Sequence, residues 1–222
     1  MILNHERKVI FVIKDWRNFT AIVIVSVLGI LLFYVQTDGF TAFTAETARV
    51  NKLKEEQPAF PDVQLEDSKE RVYSFSSEFE NKYVAITFVY TACTGVCPQL
   101  EMNFAQLYDG IPPEYIEGDI VFLTISFDPE RDDPETLERY RMYFGSDGDT
   151  WRMARINDQE ELNSLLQEFG VIVIPDGEGD FTHNSAFYLV GRDGKLLEVM
   201  DYTMIPEAID TVVSILDNDA KN

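Results

Sequence analysis

Residues 83–90 read YVAITFVY and run directly into TACTGVCPQL. The first eight are β-branched, aromatic or small at odd and even positions alike. Successive side chains of a strand point to opposite faces, so this strand must be covered on both sides. A second such run, DIVFLTISF, occupies 119–127. Between them, Leu100, Phe104, Leu107 and Tyr108 share one face of a helix over 98–108, with Pro98 suited to its first turn.

The flanking sequence fills in the architecture. Residues 63–65 and 71–75 predict a small hairpin. Helices are expected over 134–144 and 158–169, the second stopped by Gly170. Strands over 184–190 and 196–201 are joined through Asp193-Gly194, a hairpin signal, and a last helix runs over 206–216. The expected fold is α/β: a thioredoxin-like mixed sheet covered by helices on both faces.

Cys93 and Cys97, the only cysteines, fall where the first strand meets its helix. The helix start offers unpaired N–H groups and the positive end of the dipole, which places Cys97 at or beside the N-cap where a negative sulfur is favoured. Thiolates at this spacing can clamp a soft metal such as Cu(I) or close into a disulfide. A purely structural bridge is disfavoured. Its loop would be tiny and remove little unfolded-chain entropy, and with 45% apolar residues the domain can bury a core unaided. His183, 86 residues beyond Cys97, is the one histidine outside the N-terminal segment, which holds His5. It follows a Gly/Pro-containing loop at 170–180 and is a candidate third ligand. Three soft or imidazole donors fall short of the four of a structural zinc site.

Near the N-terminus, 19–35 (FTAIVIVSVLGILLFYV) is an unbroken apolar stretch of 17 residues, about 25 Å as a helix. Arg7, Lys8, Lys14 and Arg17 precede it, and no Lys or Arg follows until Arg49. The positive-inside rule then predicts a cytoplasmic N-terminus (1–18), a membrane anchor (19–35), an extracytoplasmic spacer (36–57) and the folded domain (58–222). A cleaved signal peptide is the rival, but its apolar core is shorter and its small-x-small site is poorly matched near Ala45. No cysteine follows the stretch to carry a lipid. Of 18 basic and 39 acidic residues, four and two precede the stretch, leaving a balance of −23 beyond it. Such a surface repels nucleic acid and anionic headgroups.

Three segments, TFVYTACTGVCP, LTISFDPERDDPETLERY and THNSAFYLVGRDGK, resemble in order the signatures of the Sco/SenC family of membrane-anchored copper chaperones, over roughly 58–216. The resemblance implies one copper held by Cys93, Cys97 and His183, and a role in assembling the dinuclear copper centre of cytochrome c oxidase subunit II. It also implies that Asp128 affects copper binding or redox behaviour without clearly being a ligand, although a turn aspartate ahead of a helix explains it equally well. Thr182 stands where many members carry an acidic residue.

The softness argument favours Cu(I), bound by two thiolates and a neutral imidazole with thiol protons released, and leaves Cu(II) binding open. An exposed, low-coordinate site would let a partner's thiolates take the metal stepwise. The competing class is a thiol–disulfide reductase keeping the oxidase cysteines reduced, using the same pair. Against a general oxidoreductase stand the CxxxC spacing and the absence of a proline before NSAFYLV. Against a peroxidase stands the absence of an evident Arg beside the thiols.

Overall fold

The computed structural model describes residues 16–36, 44–116 and 118–221. Residues 1–15 of the expected cytoplasmic segment, with His5, and 37–43 of the spacer lie outside them. The chain divides into two compact units, 1–51 and 52–222.

In the first unit the helix α1 (Trp16–Gln36) has exposed apolar side chains from Phe19 to Val35. Among the described residues, no helix is long and apolar enough to cross a membrane. The described side chains of α1 form 17 consecutive positions, about 25 Å against a hydrocarbon core of about 30 Å. The helix α2 (Ala45–Glu56) runs across the unit boundary.

The second unit is built on a seven-stranded sheet. Its strands are β1 (Gln64–Asp67), β2 (Val72–Ser74), β3 (Tyr83–Val89), β4 (Ile120–Ser126), β5 (Trp151–Arg155), β8 (Phe187–Val190) and β9 (Leu196–Met200), in the order β2-β1-β5-β4-β3-β8-β9. β3, β4 and β5 are parallel, with Val89 level with Ser126; β8, β9 and β1 join antiparallel. All seven residues of β3 and all seven of β4 are buried, as their two-sided apolar pattern requires.

Helices cover both faces. The crossovers α4 (Val96–Gly110), after β3, and α6 (Pro134–Phe144), after β4, pack together, and α4 also packs on the last helix, α8 (Ile205–Asp219). Phe104 of α4 meets Phe122, Trp151 and Phe187 at 5.1–5.6 Å between ring centroids. Tyr188, the next residue of β8, points to the other face and meets Phe169 at 5.9 Å. Phe169 is the C-cap of α7 (Gln159–Glu168), and Asp158 caps the start of that helix by accepting from the N–H groups of Glu160 and Glu161. Two one-turn helices, α3 (Phe75–Glu78) and α5 (Pro113–Ile116), complete the set.

Three expectations need correcting. The stretch before α7 contains β5, whose apolar residues are separated by Arg152 and Arg155; these pair with Glu78 and Glu66, so charge interrupts the apolar pattern. The expected loop 170–180 contains half of a separate two-stranded hairpin, β6 (Val173–Pro175) with β7 (Phe181–His183), in which Val173 pairs with His183. The following strand starts at Phe187 rather than 184.

Candidate metal centre

Val89 and Ser126 are level at the carboxyl ends of the two central parallel strands, so the next residues, Tyr90 and Phe127, stand side by side with ring centroids 5.2 Å apart. The thiol loop leaves from Tyr90. Its backbone is anchored by Asp132, which is fully buried and accepts from the Thr91 N–H (3.0 Å), the Thr91 hydroxyl (2.5 Å) and the Ser126 hydroxyl (2.5 Å). Burial raises the Asp132 carboxyl, and these three donors oppose the rise. Asp132→Ala strands three donors and is expected to lower stability by about 3 kcal/mol, read as a shift of the urea midpoint. Asp132→Asn, which keeps an acceptor, should cost less.

α4 begins at Val96 with Gly95 as its cap, so Cys97 is the second helical residue. The Cys97 N–H donates to the Cys93 sulfur at 3.4 Å. The sulfur that faces the helix start is therefore that of Cys93, correcting the assignment of this role to Cys97. Burial acts against the Cys93 thiolate, but the neighbouring Cys97 thiol and the backbone N–H groups of Cys97 and Gly95 outweigh it and hold the thiol below its ordinary range. Burial pushes the Cys97 thiol up, reinforced by the Cys93 sulfur and the carboxyl of Glu101.

Both cysteines are unbridged. Cys97 is 0% exposed and Cys93 9%, so the pair lies under the surface rather than in the open site expected, with Cys93 the more accessible sulfur.

His183 arrives from the hairpin as the last residue of β7. Its ring lies against Phe127 at 5.0 Å and Tyr90 at 6.3 Å. Burial lowers its pKa, against a hydrogen bond to the Asn184 backbone, so the imidazole is neutral near pH 7. Nδ1–H donates to the Asn184 carbonyl at 3.0 Å. That fixes the tautomer and turns the Nε2 lone pair toward the Cys97 thiol, 3.2 Å away.

The two sulfurs and one ring nitrogen lie within 4.8 Å of one another. A first-row metal sits about 2.3 Å from sulfur and 2.0 Å from imidazole nitrogen, so small movements would bring all three onto one ion. Two thiolates with one imidazole suit a soft, low-coordinate cation, copper(I) above all. The predicted ligand set is thus brought together by the fold.

Asp128 lies to one side. It pairs with Arg131, and its N–H donates to the Ser126 hydroxyl at 3.0 Å. Asp132 is the member of this acidic segment that reaches the thiol loop. Tyr90, Asp132 and Asn184 were not singled out from sequence. Asp132 stood in the FDPxxDxP pattern without a role, Asn184 beside His183, and Tyr90 three residues before Cys93.

Glu101 lies one turn beyond Cys97 and is fully buried. Its carboxyl accepts from the Thr124 hydroxyl at 3.2 Å, and burial, only partly offset by that bond, pushes its pKa up to about 8.

The fold has counterparts among known proteins. The chain is 34% identical over 113 residues to a SCO1 protein homologue of Bacillus subtilis, covering 50% of this chain and 58% of that one; it thus spans a little over half the length of that relative. Copper-bound ScoI of Arabidopsis thaliana superposes with a TM-score of 0.62 at 20% identity, covering 72% of this chain and 99% of that one. Copper-bound ScoI of Bradyrhizobium japonicum gives 0.57 at 24% identity, over 69% and 96%. These likenesses establish the thioredoxin-like Sco fold. The SCO1/SenC family model matches residues 52–216, about three quarters of the sequence, and the chain belongs to that family.

Proposed function

We propose that this protein is a copper chaperone that takes up Cu(I) through Cys93, Cys97 and His183 and helps assemble the dinuclear copper centre of cytochrome c oxidase subunit II. The observation that carries the proposal is the meeting of the three donors within 4.8 Å, from segments 86 residues apart. Family membership and the copper-bound relatives support it.

The three side chains have distinct parts. Cys93, whose sulfur is held toward the thiolate by N–H donors, makes the first contact with incoming metal. Cys97 gives up its proton as the metal closes over it, because burial disfavours its free thiolate. The Asn184 carbonyl keeps His183 presenting Nε2. Release reverses the order, a partner thiolate displacing the donors one at a time.

The reading is tested by titrating the full-length chain with Cu(I) against a chromophoric chelator. One copper per chain is expected with free thiols and none after oxidation of the pair. His183→Ala should weaken retention by at least about 10- to 100-fold, the range that loss of a ligand's outer hydrogen-bond partner already covers, with the fold unchanged by circular dichroism. Wild-type affinity in that variant would remove the imidazole from the site.

One observation favours a second reading. The contrast between an activated Cys93 and a buried, high-pKa Cys97 is the division between attacking and resolving thiols in a thiol–disulfide reductase. In that reading the Cys93 thiolate attacks a partner disulfide, expelling one partner thiolate, and Cys97 then displaces the second while the pair becomes oxidised. Cys97→Ser would trap the mixed disulfide with an oxidised subunit II peptide. Trapping without copper retention by the wild type would favour reduction over delivery.

We further propose that α1 anchors the domain to the cell membrane, with the N-terminus cytoplasmic and the copper-binding domain extracytoplasmic. The helical backbone runs for 21 residues, about 31 Å, and its described side chains from Phe19 to Val35 are apolar or small, with only Thr20, Ser26 and Tyr34 carrying a hydroxyl. The basic residues before it supply the orientation.

A further inference from the structure

We infer that Arg131 is a positioning residue for His183: a clamp that holds the tip of the β6–β7 hairpin against the thiol loop and so sets the reach of the imidazole. This rests on the three-donor reading above and adds a residue that is not a ligand.

The hairpin is a sheet of its own, and its two strands pair only with each other. At its base Asn184 ties both sides: its side-chain oxygen accepts from the Ile172 N–H (2.7 Å) and its amide donates to the Gly170 carbonyl (3.1 Å). At the far end, the Tyr90 hydroxyl donates to the Asp180 carboxylate and accepts from the Phe181 N–H at 3.4 Å. Arg131 closes this end from outside. Its guanidinium is anchored by Asp128 and lies over two rings at once, Tyr90 at 5.7 Å and Phe181 at 5.5 Å. One guanidinium nitrogen comes within 3.7 Å of where a side chain at Gly179 would begin, which places it against the tip backbone.

A planar cation over aromatic faces is attracted to both. Here one ring belongs to the strand end that carries the thiol loop and the other to the hairpin, two residues before His183. The pairing also gives Asp128 a physical part: it fixes the clamp and touches no donor. Tyr90 and Phe127, unlike Arg131, lie directly against the imidazole, but they are buried and their removal would open the core. The Arg131 side chain is 41% exposed and can be cut back with the fold intact.

The test is a double-mutant cycle on the full-length chain, with Cu(I) competition titrations of wild type, Arg131→Ala, Arg131→Lys, His183→Ala and the Arg131→Ala/His183→Ala double variant. Arg131→Ala is expected to weaken Cu(I) about tenfold and to lose the imidazole scattering signature in X-ray absorption. Without metal, it should speed amide hydrogen exchange at Phe181 while leaving β3 and β4 protected. Arg131→Lys, with charge but no planar stacking group, should recover part of the loss. In the His183→Ala background Arg131→Ala should change nothing further. Wild-type affinity in Arg131→Ala, or an equal loss in both backgrounds, would overturn the clamp alone. Wild-type affinity in His183→Ala would overturn the three-donor reading itself.

Discussion

Replacing Cys97 by serine is expected to abolish Cu(I) retention in a chelator competition that registers the wild type, while the fold persists. A hydroxyl is a hard, protonated donor that does not replace a thiolate for a soft cation, and the remaining sulfur and imidazole belong to two separate elements. Serine is close to cysteine in size and can still hydrogen-bond to the His183 Nε2 that the thiol faces at 3.2 Å, so the buried position keeps a polar partner. Cys93→Ser should have the same effect on retention, but it also removes the sulfur that receives the Cys97 N–H. Retention of one copper at wild-type affinity by either variant would eliminate the thiol pair as the binding unit.

The second large effect concerns Glu101 and is one of stability. Its pKa is pushed up from 4.5 to about 8 by burial, so between these values the folded state holds a proton that the unfolded chain has lost. Stability from this group therefore falls as pH rises, by about 1.4 kcal/mol per unit across that window, and levels off above pH 8. Glu101→Gln removes the ionisation and should be more stable than the wild type at pH 8 and above by a few kcal/mol, with the gap closing toward pH 5. Urea unfolding of both proteins from pH 5 to 9 reads the difference. Parallel curves would show that the carboxyl does not take up a proton on folding in this range.

The centre of the fold was legible because β3 and β4 are apolar on both faces, a pattern that only a covered sheet explains. The thiol pair was legible because a strand-to-helix junction is marked by the end of an apolar run and a proline. His183 could be picked out because it is the sole imidazole beyond the N-terminal segment, although nothing local announced its strand. β6 and β7 are three residues each around DGEGD, too short for alternation to register, and their pairing is a tertiary fact. The acidic segment was harder still. Asp128, Asp132 and Asp133 look alike in sequence, and only their partners in the fold separate them: Asp133 is the N-cap of α6, accepting from the Thr136 N–H at 2.8 Å, Asp128 holds Arg131, and Asp132 pins the thiol loop. The relative acidity of the two thiols also depended on geometry. The dipole argument favoured the cysteine nearer the helix in sequence, whereas the chain folds the earlier sulfur back over the helix start.

The hairpin shares no ladder with the seven-stranded sheet, so the third donor rides on a piece that can be re-cut separately from the rest. Lengthening or shortening the 176–180 turn should leave the cooperative unfolding of the main sheet nearly untouched while re-tuning how far the imidazole extends. An engineer, or natural drift, could thus adjust grip on the cargo through five surface residues without renegotiating the interior.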